Sequence, residues 1–170
     1  MLRRLIDPDI STPLLRDQGE VIVDEVRHHW VAFTRAVLEA VLALVLLVGT
    51  FLVPTQLSTI VLLLALAVAT HACFLALREH RDRFVITNMR VFRVHGVLST
   101  QIATMPLSRI LDITLTKPLL GRVLGYGHFV FESAAQEQGL RDIRFVARPD
   151  DRDHAIQSVV QRAGLRPAVG

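Results

Sequence analysis

AVLALVLLVGTFLVPTQLSTIVLLLALAVATHACFLAL, residues Ala40 to Leu77, carries no charged side chain, and Pro54-Thr55-Gln56 interrupts it near its middle. A bilayer core about 30 Å thick is spanned by roughly 20 apolar residues in a helix rising about 1.5 Å per residue. The run is too long for one such helix and fits two. It predicts a transmembrane hairpin, with one helix from about Ala36 to Val53 and a second from about Leu57 to Leu77. Every other segment then belongs to a membrane-tethered protein.

Charge is uneven on the two sides of the hairpin. Residues 78–170 hold thirteen Arg and Lys117 against nine acids, or +5. Residues 1–35 hold five Arg against six acids, or −1, and Glu39 supplies another −1, for the net +3 of the chain. Arg27 and Arg35 precede the first helix, Arg78, Arg81 and Arg83 follow the second, and the turn Pro54–Ser58 is uncharged. Basic residues favour the cytoplasmic side, so both termini are expected in the cytoplasm and the turn outside. Trp30 falls at the expected water–lipid boundary. Six acids precede the apolar run, which does not suit a cleaved secretory leader. The lone Cys73 cannot form an intrachain disulfide and reads as a small packing residue.

Small residues let helices approach closely in lipid. Ala36, Ala40 and Ala43 form one stripe, and Ala65, Ala69, Ala72 and Ala76 another. The two stripes are expected to face each other, or one of them to drive homo-oligomers. His71, inside the second helix, is expected to stay neutral and to hydrogen-bond a helix carbonyl.

After Arg83 the pattern becomes short alternating segments with turn punctuation. Phe84–Thr87 and Arg90–Val94 read as a hairpin around Asn88-Met89. Gln101–Met105, Ile110–Lys117, His128–Ser133 and Arg141–Val146 read as four more strands. In the second of these, Leu111, Ile113 and Leu115 alternate with Asp112, Thr114 and Thr116. Gly139 closes a polar loop before the last strand. From Pro149 the spacing of Ile156, Val159, Val160 and Ala163 gives an amphipathic helix, with Asp150, Asp151 and Asp153 at its positive end and Gly164 to close it. Glu20–His28 is also extended in character. Because both ends of the hairpin emerge on one side, it can join the same sheet as a seventh strand. The domains expected are an N-terminal segment 1–35, the hairpin 36–77, a β-rich domain 78–164 and a flexible tail 165–170.

These segments are similar to a known pattern. Arg83-Phe84-Val85-Ile86-Thr87-Asn88-Met89-Arg90, Gly96-Val97-Leu98-Ser99 and Pro106-Leu107-Ser108-Arg109-Ile110-Leu111-Asp112-Ile113 resemble the pleckstrin-homology (PH)-like domain of YdbS-like bacterial membrane proteins. So do Leu119–Gly127 and Ile143-Arg144-Phe145-Val146 leading into Pro149-Asp150. The resemblance covers roughly residues 80–163, and the two preceding apolar helices suit it. It implies a membrane hairpin joined to two packed antiparallel sheets capped by a C-terminal helix. It also implies a protein that is generally not an enzyme. Phosphoinositide binding is not implied, because the Asn88-Met89 hairpin offers only Arg90 beside it.

Two sets of residues are candidates for interaction. Arg27, Arg35, Arg78, Arg81 and Arg83 lie where anionic lipid head groups are expected, or else serve only to fix topology. Leu120, Val123 and Leu124 share a face of a short helix, with Lys117 and Arg122 alongside. That helix would dip into lipid or grip a partner; the commoner role for such a loop is to cap its own sheet. The scattered histidines have no metal-ligand spacing, no Gly-Lys-Ser/Thr follows the glycines, and no serine lies in a nucleophile elbow. The aspartates at 150, 151 and 153 read as helix capping. Aromatic residues are few and the positive charge gathers near the membrane, which argues against nucleic acid. The expectation is a non-enzymatic docking or assembly module with no cofactor, at the cytoplasmic face of the cell membrane. It would bind a protein partner or lipid head groups. The alternative is an accessory subunit of a transport or envelope-stress complex, acting through its helices.

Overall fold

The computed structural model describes Leu14, residues 19–133, Leu140 and residues 142–162, with Leu111 and Ser133 described by backbone alone. Gly139, Arg141, Ala163, Gly164 and the tail 165–170 lie outside the described residues. The chain forms two compact units, Trp30–Glu79 and the remainder on either side of it.

The inserted unit is helical. A 3-10 turn, Trp30–Phe33, leads into α1, Thr34–Gly49, and α2 runs Thr55–Arg81. The 3-10 turn together with α1, Trp30–Gly49, and α2 alone are each long and apolar enough to cross a membrane, and little of either is covered by protein. The first helix ends at Gly49, short of the expected Val53. Glycine propagates a helix poorly, and Pro54 disfavours helical backbone at the residue before it. Phe51 and Leu52 instead close a tight turn through N–H donation to Val48 and Gly49 carbonyls at 3.1 and 3.0 Å. The second helix runs four residues past the expected Leu77. At 27 residues it is about 40 Å long, more than the lipid core is thick, so its Arg-Glu-His-Arg end extends beyond the apolar stretch.

The other unit holds, among the described residues, seven strands in two antiparallel sheets and two helices. Sheet A has the order β1-β2-β3-β4, with β1 Ile22–Arg27, β2 Arg83–Thr87, β3 Arg90–His95 and β4 Gln101–Pro106. Sheet B has the order β5-β6-β7, with β5 Ile110–Thr116, β6 Tyr126–Ser133 and β7 Asp142–Ala147. The helix α3, Leu119–Leu124, joins β5 to β6, and α4, Pro149–Arg162, closes the fold.

The first strand comes from before the hairpin. Val26 pairs with Phe84 and Arg27 with Arg83. One residue further, His28 bridges Val146, so β1 is shared by the edges of both sheets. The core lies between them: Phe84, Ile86, Met105, Phe129, Phe131, Ile143 and Val146 are buried with the Ile156, Val159 and Val160 stripe of α4. Phe84 and Phe131 meet across the sheets at 5.4 Å. In β5 the simple alternation is broken. A register shift between Ile110 and Asp112 lets Ile110, Ile113 and Leu115 all pack on the core, as a bulge adds one residue to the period of two. The outer face of sheet A is also covered, since Val85, Phe92 and Val94 form a second buried cluster with Leu14 against it.

Charge pairs hold β1 in place. The fully buried Glu20 carboxylate accepts from Arg90 Nε at 2.9 Å and Nη2 at 3.0 Å. Thr87 Oγ1 donates to the same carboxylate at 2.8 Å. Asn88 accepts from the Val21 N–H and donates to the Gly19 carbonyl, at 2.9 and 3.1 Å. Asp24 pairs with Arg152 of α4. The turn Thr87-Asn88-Met89-Arg90 is thus the clasp for the segment that precedes the membrane run.

Candidate functional site

The sheet domain has one rim at which the chain leaves, at His29, and returns, at His80. At the exit, the His29 N–H donates to the Phe145 carbonyl at 2.6 Å, and its ring lies 5.7 Å from that of Tyr126. At the return, Asp82 accepts from Arg93 at 2.8 and 2.5 Å, with His28 Nε2 3.7 Å away. Arg81 Nη2 donates to Thr100 Oγ1 of the β3–β4 turn at 3.5 Å. The sequence left open whether Glu20–His28 joins the sheet; these contacts tie that strand to the return point directly.

The five arginines singled out from sequence do not share one environment. Arg27, Arg35 and Arg78 keep most of their side chains exposed. Arg81 and Arg83 are buried. Arg83 Nη1 lies 3.8 Å from Glu25, and only 6% of its side chain reaches solvent. Both arginines are covered by the fold rather than standing out from it. The physical reason is position: β2 begins at Arg83, so both residues already belong to the packed end of the sheet.

The short helix α3 joins the end of β5 to the start of β6. Pro118 precedes it, and Gly125 ends it in the left-handed conformation, φ 79°, donating to the Gly121 carbonyl at 2.9 Å. Gly121 is buried against the body. A Cβ built there would sit 2.4 Å from the Tyr126 carbonyl oxygen and 2.9 Å from the Pro118 ring. The bare glycine therefore faces inward, and Leu119, Leu120 and Val123 face outward at 81%, 67% and 82% exposure, with Leu124 at the margin and Arg122 exposed among them. Leu119 went unnoticed in sequence because the apolar stripe was traced through Leu120. The buried Gly121 marks which face is which. Leu98, at the tip of the β3–β4 turn and 95% exposed, was missed as well. Lys117 is taken up by Asp150.

A ring cluster lies beneath α3. Tyr126, His128 and Phe145 pack at 5.2 to 5.7 Å. The Phe145 N–H donates to His128 Nδ1 at 3.1 Å. Burial, and then the nearby Arg144 charge, push the His128 pKa below its ordinary value.

Within the helical unit, both alanine stripes line one apolar groove of about 490 Å³. Ala36, Ala43, Ala65 and Ala72 are buried, while Ala40 and Ala69 remain exposed on its open side with Cys73. His71 does not bond a helix carbonyl as expected. Its Nδ1 lies 2.5 Å from Glu39 Oε2, and Arg35 Nε donates to the other carboxylate oxygen at 3.4 Å. Among the described residues, no three His, Cys, Asp or Glu side chains gather to hold a metal ion.

The family model described as Bacterial PH domain matches residues 34–163. The chain belongs to the bacterial PH domain family. The matched part of this bacterial PH domain protein begins at α1, so β1, which completes sheet A, lies ahead of it. No curated protein and no solved structure matches the chain.

Proposed function

We propose that this chain is a YdbS-like, membrane-anchored docking module. Its PH-like domain is held at the cytoplasmic face by two spans, with both termini inside and the Pro54–Ser58 turn outside. In this reading it presents a surface to a protein partner or to anionic lipid head groups and catalyses no reaction. The observation that carries it is the pairing of β1 with β2. The apolar hairpin occupies the connection between two neighbouring strands, so the sheet is tethered at one rim by two covalent links. Arg27, Arg35 and Arg78 are exposed but each lies beside a carboxylate, Glu25, Glu39 and Glu79 at 3.2, 3.4 and 3.4 Å, so their attraction to an anionic surface is set below that of an unpaired basic group, about 1 kcal/mol. The test is lipid retention by the purified full-length protein in native mass spectrometry. Wild type is expected to keep anionic over zwitterionic lipid, and Arg27/Arg35/Arg78→Gln to lose that preference. An unchanged preference removes head-group recognition and leaves these arginines a topological role.

A second reading is favoured by the groove along the hairpin. Small residues on an open helix pair admit a further helix, which suits an accessory subunit or a homo-oligomer. Ala40→Leu with Ala69→Leu fills the groove. Loss of a co-purifying membrane partner in that variant, with the PH-like domain intact, would transfer the function to the helices.

A further inference from the structure

We propose that α3 is a second membrane contact, its outward apolar face entering the head-group–acyl boundary beside the point where the chain itself enters. The inference rests on the anchored reading above and names the lipid surface as what this face meets. Gly121 fixes the orientation of the helix by close contact with Tyr126 and Pro118. Leu119, Leu120 and Val123 are therefore held outward by the fold. Three large apolar side chains on one short helix form a patch that marks a contact surface.

The position of the patch decides which surface. Tyr126, two residues after α3, packs on the His29 ring, and His29 immediately precedes Trp30, the first residue of the membrane-spanning stretch. Trp30 stands at the expected water–lipid boundary, so along the chain that boundary lies one residue from a side chain in contact with the base of α3. Exposed Arg122 lies on the helix, and Arg148, whose N–H donates to the Gly125 carbonyl at 3.2 Å, lies at its end. Arg148 is paired with Asp151 at 4.0 Å and Lys117 with Asp150, so the edge of α3 carries charge of both signs around an exposed apolar face, the amphipathic composition of an interfacial segment. The return point repeats the arrangement. Thr100 beside Arg81 belongs to the turn that carries exposed Leu98. Each tether is flanked by an exposed apolar tip.

The experiment uses the full-length chain in vesicles of phosphatidylcholine and phosphatidylglycerol with brominated acyl chains, which quench an indole that contacts them. Native Trp30 reports on the spans. In a Trp30→Phe background, Val123→Trp reports on α3, and Met89→Trp, in the β2–β3 turn at the other end of sheet A, is the control. The expected result is that the Val123→Trp indole is blue-shifted and quenched as Trp30 is, while the Met89→Trp indole is neither. A Val123→Trp indole that behaves like the control, with Trp30 quenched, overturns the inference alone. A blue shift without bromine quenching assigns the face to protein and also overturns it. If Trp30 in the unsubstituted protein is not quenched, the anchored reading fails and this inference falls with it.

Discussion

Two helices of the sheet domain carry apolar faces of similar residue content and meet opposite fates. The face of α4, Ile156, Val159 and Val160, is buried in the core. The face of α3, Leu119, Leu120 and Val123, is turned to the outside. The difference lies in the opposite side of each helix. α4 offers polar residues to water, so burying its stripe satisfies both faces. α3 offers Gly121 to the body, and a glycine approaches closely while burying almost nothing. One apolar face stabilises the fold; the other is left at the surface of the domain.

Substitutions separate the two faces. Ile156→Asp places an unpaired carboxylate in the core and is expected to cost about 4 kcal/mol or more, seen as loss of cooperative unfolding of the full-length protein in detergent. Glu20→Ala removes one partner of a buried pair and leaves Arg90 facing an empty site. The expected cost is about 3–5 kcal/mol, read from the shift of the denaturant midpoint. Retention of wild-type stability in this variant would mean that β1 is not held by its charge pairs.

What was legible in the sequence follows the same division. The strands, the hairpin and the stripe of α4 each repeat at a period set by their own backbone, so they can be read from spacing. The clasp could not be read this way. Glu20 and Arg90 are separated by the whole hairpin, and nothing local marks them as partners. Likewise Arg81 and Arg83 look like any juxtamembrane arginines until β2 is seen to begin at Arg83 and draw them into the fold. For α3 the spacing revealed an apolar face and left its destination open. Periodicity does not say which side of a six-residue helix rests on the body, and that was settled by the contact of Gly121 with a carbonyl oxygen.

Smaller effects sharpen the contrast. Gly121→Ala drives a methyl toward the Tyr126 carbonyl, and the strain is expected to cost about 1–3 kcal/mol. Leu119/Leu120/Val123→Gln, by contrast, is expected to leave stability within about 0.5 kcal/mol per site, because these side chains touch little of the fold. A marked loss of stability in detergent would show the face to be part of the core after all.

The smallest effect belongs to the ring cluster beneath α3. His128 Nδ1 accepts a hydrogen bond from the Phe145 N–H, and Phe145 holds a positive φ of 54°. Protonation at Nδ1 would replace that acceptor with a second donor. Burial, reinforced by the Arg144 charge, lowers the folded-state pKa, so over the interval below the ordinary value the unfolded chain binds the proton more readily. Stability from this group is present above the ordinary histidine pKa, about 6.5, and is lost as pH falls through the interval between that value and the folded one. Unfolding of the full-length protein, followed from pH 7.5 to pH 5 (about the span in which histidine titrates), is expected to show a decline that His128→Gln reduces. Equal slopes in the two proteins would mean that the decline arises from other groups and that the His128–Phe145 contact tolerates the proton.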